Sequence, residues 1–195
     1  MTAVTKKIVT IALPAVMLPV FATTALAADK LEIDGVHSSV VFRVMHMGIT
    51  PFYGRFNDIS GTVDFNREAP KESKFSVIIK TDSVDTNNKG RDQHLKSPDF
   101  FNAAEFPELK FVSKSVEVIE ENKLKVTGEL TLHGKTREIA VTIDKTGEGA
   151  GPQGDYRVGF ESRFTIKQSE FGMGEAASGR DDEVNIMIGL ETIRK

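Results

Sequence analysis

Lys123-Leu124-Lys125-Val126-Thr127-Gly128-Glu129-Leu130-Thr131-Leu132 alternates in character along its whole length. Leu124, Val126, Gly128, Leu130 and Leu132 share one parity, and Lys123, Lys125, Thr127, Glu129 and Thr131 the other. A pleated strand sends successive side chains to opposite faces, so a period of two sorts these residues into an apolar face and a polar face. A helix would scatter them around its circumference. The stretch reads as a half-buried antiparallel strand.

The same reading extends in both directions. Glu121-Asn122 is a turn that separates it from a preceding strand, and His133-Gly134 a hairpin turn after it, with the glycine supplying positive φ. Ile139, Val141 and Ile143 then continue the alternation. Residues 39–47 place Val40, Phe42, Val44 and His46 on one face, and 73–81 do the same with Phe75, Val77 and Ile79. The segment 52–65 aligns Ile59, Gly61, Val63 and Phe65. Tyr156, Val158, Phe160, Ser162, Phe164 and Ile166 form another stripe, and Val184, Ile186, Ile188 and Leu190 the last. Gly147 to Gly154 is glycine-rich and is expected to be an exposed loop. Residues 87–106 break the pattern; they read as a short helix over Lys89–Lys96 and an irregular connection from Pro98 to Pro107. About eight long strands joined by short turns favour an all-β, single antiparallel up-and-down barrel over a sandwich. A barrel of this size holds either packed side chains or one small ligand.

The N-terminus carries a different signal. Lys6 and Lys7 precede an apolar run from Ile8 to Phe21, and Ala25-Leu26-Ala27-Ala28 follows. Basic end, apolar centre and small-residue site are the layout of a secretory signal peptide. A membrane span needs ~20 apolar residues, and this run is shorter and holds Pro14 and Pro19. Cleavage after Ala27 divides the chain into a signal peptide, 1–27, and one barrel domain, 28–195. The expected address is the periplasm. No cysteine is present, which excludes disulfides, thiolate metal sites and a lipidated N-terminus. The net charge is −3 with both signs interspersed, so no nucleic-acid-binding stripe exists. Thirteen Phe and no Trp indicate apolar aromatic surface without a polar handle.

Five groups of residues resemble the YceI-like polyisoprenoid-binding family. They are Asp34-Gly35-Val36-His37-Ser38-Ser39-Val40 with Phe42 to Gly48; Gly54-Arg55-Phe56 with Gly61; and Ser83 to Asn87 with Arg91-Asp92, His94-Leu95 and Ser97 to Asn102, followed by Phe106-Pro107 and Phe111. Gly128 to Thr136 is the fourth, and Phe164-Thr165-Ile166 with Phe171-Gly172-Met173 and Glu183-Val184 the last. They occur in family order over residues 29–194. The resemblance implies a lipocalin-like barrel with a long apolar pore. It also implies an amphipathic ligand of the isoprenoid quinone or polyprenyl phosphate class.

On that basis the expected tail-binding residues are Phe42, Val44, Phe75, Val77, Leu130, Leu132, Phe160, Phe164, Ile186 and Ile188. His46, Arg91 and His94 are the head-group candidates, since Arg suits a phosphate or carbonyl oxygen. Asp92 is expected to pair with Arg91 and pin the helix. Phe100 and Phe101 are expected to plug one barrel end. His37, His46, His94 and His133 lack the short spacing of a preformed metal site, so no metal is expected. Ser38 and Ser39 beside His37 cannot form a triad, because neighbours on a strand face opposite ways. No residue is assigned to catalysis and no cofactor beyond a bound lipid. The competing readings are a small enzyme using His46 or His94 as acid–base, and a ligand-free, stress-linked structural domain. Transient membrane contact and a homodimer stay open. Phe160→Glu is expected to abolish lipid co-purification in a folded protein.

Overall fold

The computed structural model describes residues 28–174 and 182–194. The expected signal peptide, 1–27, lies outside the described residues. Eleven strands form one antiparallel sheet that closes on itself. In chain order they are β1 (Asp29–Ile33), β2 (Ser39–His46), β3 (Thr50–Phe56), β4 (Ile59–Phe65), β5 (Lys74–Lys80), β6 (Val84–Asp85), β7 (Glu108–Glu120), β8 (Lys123–Leu132), β9 (Lys135–Ala150), β10 (Tyr156–Lys167) and β11 (Glu183–Arg194). One helix, α1 (Lys89–Lys96), falls where the sequence places it.

The eleven strands make eight arms. β1 with β2, β3 with β4, and β5 with β6 are each one arm with an interruption. β2 and β1 lie end to end along the same edge of β11: Val44 opposes Val184, and Leu31 opposes Arg194. β3 and β4 back onto β2 and β1 in the same way. The other arms follow as an up-and-down meander, β5–β7–β8–β9–β10–β11, and the last arm meets the first. This is the expected barrel, and no sheet edge is left along the closing seam.

The three interruptions adjoin. Ser83 Oγ accepts from the Asn57 and Asp58 amides at 3.2 and 3.1 Å, and Lys80 N–H donates to Asp58 O at 3.0 Å. Each interruption shifts the parity of the inward face. In β1 the buried residue is Leu31, but in β2 they are Val40 and Phe42; Phe56 gives way to Ile59, and Ile79 to Val84. β7 shifts parity too. Leu109 is buried, a bulge falls between Ser113 and Ser115, and Val116 is the next buried residue. That shift hides β7 from an alternation search. β1 and β6 escape it because they are short.

One expectation is corrected. Gly147 and Gly149 are not in a loop: β9 runs to Ala150 and pairs with β10 out to Tyr156. The long β10 supplies a backbone partner there, and a ladder needs no side chains. The connection shrinks to 151–155, with Gly154 at φ 80°.

Burial follows a gradient along the axis. At the end where β1 and β10 begin, Leu31, Val63, Val158 and Thr192 are fully buried. Phe160 meets Phe65 and Phe75 edge-on, with ring centroids 5.6 and 5.5 Å apart. These rings make a solid floor. Outside it, Arg67 and Arg194 flank the Tyr156 ring at 4.4 and 4.5 Å, and both reach Asp29. Burial, then the hydrogen bond to Glu148, push the Tyr156 hydroxyl up to about 12.

The seam interruption at 34–38 is held by charge. Asp34 N–H donates to Glu191 O at 2.8 Å, Ser38 Oγ accepts from Glu191 N at 3.0 Å, and Arg157 bridges Asp34 and Glu191. His37 Nδ1 lies 2.7 Å from Asp34 Oδ2. That bond chiefly lowers the Asp34 pKa below its ordinary 3.8, with the Val36 amide second. It also chiefly raises His37 above 6.5.

Two outcomes are expected. Phe160→Ala should cost about 3–5 kcal/mol in urea unfolding, because the floor cannot collapse around the lost ring. The raised His37 stabilises the fold fully below pH 6.5 and loses that contribution as pH rises through its folded value. The depressed Asp34 stabilises fully above pH 3.8 and loses it as pH falls through its own folded value. Thermal melts across pH should therefore show the pair's contribution greatest between these limits. His37→Gln should remove the fall on the alkaline side.

Candidate functional site

Above the floor the lumen is not filled. The inward stripes that end in buried residues at the floor become only half-buried further up: Phe160 is followed by Phe164, Leu190 is preceded by Ile188 and Ile186, and Val126 is followed by Leu130. These positions face a cavity of about 460 Å³. All ten expected tail residues are on its wall: Phe42 and Val44 from β2, Phe75 and Val77 from β5, Leu130 and Leu132 from β8, Phe160 and Phe164 from β10, and Ile186 and Ile188 from β11. The expected tail residues leave out Phe111, because the bulge between Ser113 and Ser115 shifts the parity of its strand. They also leave out Phe52 and Phe56, whose parity differs from the residues that follow them.

Two inward glycines keep the lumen open. A Cβ at Gly54 would lie 2.2 Å from Phe42 Cζ, and one at Gly128 would lie 2.6 Å from Phe111 Cζ. Phe42 is the cross-strand partner of Gly54. Each ring therefore tucks its tip into the space its glycine vacates, against the wall rather than across the lumen.

The mouth lies at the α1 end. Met45 and His46 of β2, Phe52 of β3, and Arg91, His94 and Leu95 of α1 all border the cavity. The His94 side chain is also 61% exposed, so the cavity meets solvent beside it. Asn88 caps α1 by accepting from the Arg91 amide at 2.9 Å. Arg91 and Asp92 do not form the expected mutual pair; both converge on Thr86. Arg91 donates from Nε to Thr86 Oγ1 and from Nη2 to Thr86 O, each at 2.7 Å. Asp92 accepts from the Thr86 hydroxyl and amide at 2.6 and 2.8 Å. One threonine thus anchors α1 beside β6. The Arg91 guanidinium sits 4.8 Å over the Phe52 ring, and its Nη1 donates to no protein atom among the described residues.

The 97–107 connection covers part of this end. Phe101 meets Phe56 edge-on at 5.4 Å, while Phe100 meets His94 at 4.9 Å. The two rings thus divide, one docked on the core and one at the rim. Gly174 N–H donates to Asp99 O at 3.1 Å, and Thr81 Oγ1 to Phe106 O at 2.8 Å. The cover is stitched to the barrel on both sides. His133 sits in its turn with φ 51°, its Nδ1 3.2 Å from Phe171 O.

The wall is carbon with few polar side chains. Ser162 commits its hydroxyl to Thr142 O at 2.7 Å. Gln168 is buried near the cover. The one metal-capable group among the described residues, Asp34 with His37 and Glu191, lies outside the lumen on the seam. Arg157 already bridges both of its carboxylates. Phe160 proves unsuited to the Glu test. Only 2% exposed and wedged between two rings, it would bury a charge and cost the fold itself.

Gly54→Ala gives a cleaner result. The new methyl must turn Phe42 away from the wall, and the lumen is the open direction. The variant should fold, with a cavity smaller by roughly one to two water-sized groups of ~30 Å³ each. Titration with a fluorescent long-chain probe should show weaker binding, and circular dichroism an unchanged strand signal.

A profile of the YceI-like domain family matches residues 31–192. A UPF0312 protein of Photorhabdus laumondii is 40% identical over 175 residues, 89% of this chain and 91% of that protein. The crystal structure of Burkholderia cenocepacia BcnA superposes with TM-score 0.72 at 27% identity, over 82% of this chain and 98% of that one. A polyisoprenoid binding domain from Saccharophagus degradans, implicated in plant cell wall breakdown, superposes with TM-score 0.65 at 13% identity, over 86% and 99%. That last likeness is one of fold.

Proposed function

The chain belongs to the YceI-like family, and on that premise we propose that it is a periplasmic binding and carrier protein for a long apolar chain with a polar head, of the isoprenoid quinone or polyprenyl phosphate class. The observation that carries this reading is the lumen: walled mostly by carbon, floored by aromatic rings, and bordered at the α1 end by His46, Arg91 and His94. A cavity of about 460 Å³ is in the range of ligand pockets. At ~30 Å³ per water-sized group it takes a tail of about fifteen carbons. At ~0.8 kcal/mol per CH₂, such a tail contributes roughly 12 kcal/mol gross. That exceeds the low end of the association cost and leaves room for useful affinity.

The wall offers no direction to a tail, so tail recognition is permissive. Selectivity belongs to the mouth, where the three cationic or hydrogen-bonding side chains suit a phosphate or carbonyl oxygen. Sequestration is favoured over catalysis. Ser162 in the lumen faces a backbone carbonyl, not a base. His94 has Asp99 at 3.5 Å on an exposed rim. The name of the Saccharophagus degradans domain supports the ligand class, and the Lys6 to Ala28 pattern supports the address.

Native mass spectrometry of protein purified from its own envelope should give a chain beginning at Ala28 with one lipid. Organic extraction should release that lipid as a long-chain isoprenoid. Protein that stays empty through purification and takes up no isoprenoid added in detergent would refute the carrier reading.

A further inference from the structure

The hairpin joining β2 to β3 carries its apolar residues on the wrong side for folding. His46 to Ile49 form its turn, with Ile49 N–H donating to His46 O at 2.9 Å. Met47 has φ 52° and Gly48 φ 66°. Positive φ at both central positions favours Asn, Asp or Gly. The other non-glycine residues at positive φ are Asn87, Asn102, Asn122 and His133, all polar. Met47 is the exception among the described residues. It gains no burial in return, being 69% exposed, and Ile49 beside it is 78% exposed. A flexible apolar side chain in a disfavoured backbone conformation, open to water, contributes nothing to this fold.

The hairpin is graded behind its tip. On its outer face Met45 opposes Pro51, then Arg43 opposes Tyr53, then Val41 opposes Arg55. The order from the tip is apolar, then aromatic with cation, then cation. That is the order in which a bilayer presents hydrocarbon, interface and headgroup charge. Among the described residues Arg43 bonds the neutral Asn185, at 3.0 Å, while Arg55 faces Asp85 at 3.5 Å. Residues 35–57 contain no Asp or Glu, although the chain has 28 of them and a net charge of −3. The hairpin is thus locally cationic on an anionic protein. Its inner face is continuous with the mouth, because His46 and Phe52 border the cavity.

We infer that the Met47–Ile49 tip docks on an anionic phospholipid surface, with Tyr53, Arg43 and Arg55 at headgroup level. Docking presses the mouth against the lipid, so a tail passes between bilayer and lumen without crossing water. This role in loading rests on the carrier reading; the docking itself does not.

The test is co-sedimentation of the mature protein with vesicles of phosphatidylglycerol and phosphatidylethanolamine, and with phosphatidylcholine vesicles as control. Wild type should bind the anionic vesicles, more weakly as salt rises. Met47→Asn with Ile49→Thr should lower the partition coefficient ~10-fold, since the apolar area withdrawn from water is lost. Met47→Asn alone should melt at the same or a higher temperature, since Asn suits positive φ; lower binding with undiminished stability separates docking from a folding defect. Equal binding by wild type and double variant would overturn the proposal. So would absent wild-type binding with lipid still in the lumen, which leaves the carrier reading intact. Vesicle binding by a protein that never holds lipid supports docking and removes the carrier reading. A wild-type dimer in light scattering that the double variant abolishes, without vesicle binding, would assign the tip to a second copy instead.

Discussion

Everything in this molecule depends on the backbone seam between β11 and the first arm. Once β1 and β2 bond to β11, every strand has two neighbours or a covered edge, and each inward stripe must share one lumen. Closure converts separate amphipathic strands into a single apolar interior. An open sheet with the same stripes would need a second layer to cover them. The ladder is interrupted at the seam, where residues 34–38 leave it. Arg157, Asp34, Glu191 and His37 hold it there, which explains an ionic cluster far from the mouth.

The lumen is divided by residue size and by parity. At the floor Phe65, Phe75 and Phe160 fill the cross-section. Higher up, aromatic rings face glycines, and the same barrel keeps a space. The three adjoining interruptions bend β2, β3 and β6 relative to the arms below and give α1 its seat on Thr86. The cover over 97–107 is then bonded to β5's end and to Gly174. A solid floor and a bordered mouth together make a one-ended pocket, which sets the polarity of any amphipathic guest: tail down, head at the rim.

The mouth assembles groups from distant parts of the chain. His46 ends β2, while Arg91 and His94 come from the helix inserted between β6 and β7. Arg91 is largely committed to Thr86 and rests over Phe52, so it enters the rim as a fixed cation rather than a swinging arm.

Local alternation determined a good deal by itself. Within unbroken strands such as Lys123–Leu132, side-chain parity is a property of the backbone, so the inward residues of β2, β5, β8, β10 and β11 were readable from the sequence. So was α1, from its loss of that period. Parity fails wherever the chain slips by one residue. The interruptions at 34–38, 57–58 and 81–83 and the Ser113–Ser115 bulge each reset it, and the bulge hid the inward parity of β7 and with it Phe111; β1 and β6 are too short to show a period. Gly147 and Gly149 read as loop because composition carries no information about a partner strand. Only the tertiary structure decided that the barrel is part empty, which end is open, and that Thr86 rather than Asp92 anchors Arg91. Those outcomes depend on which side chains meet across the lumen, and pairing between distant strands leaves no mark on local sequence.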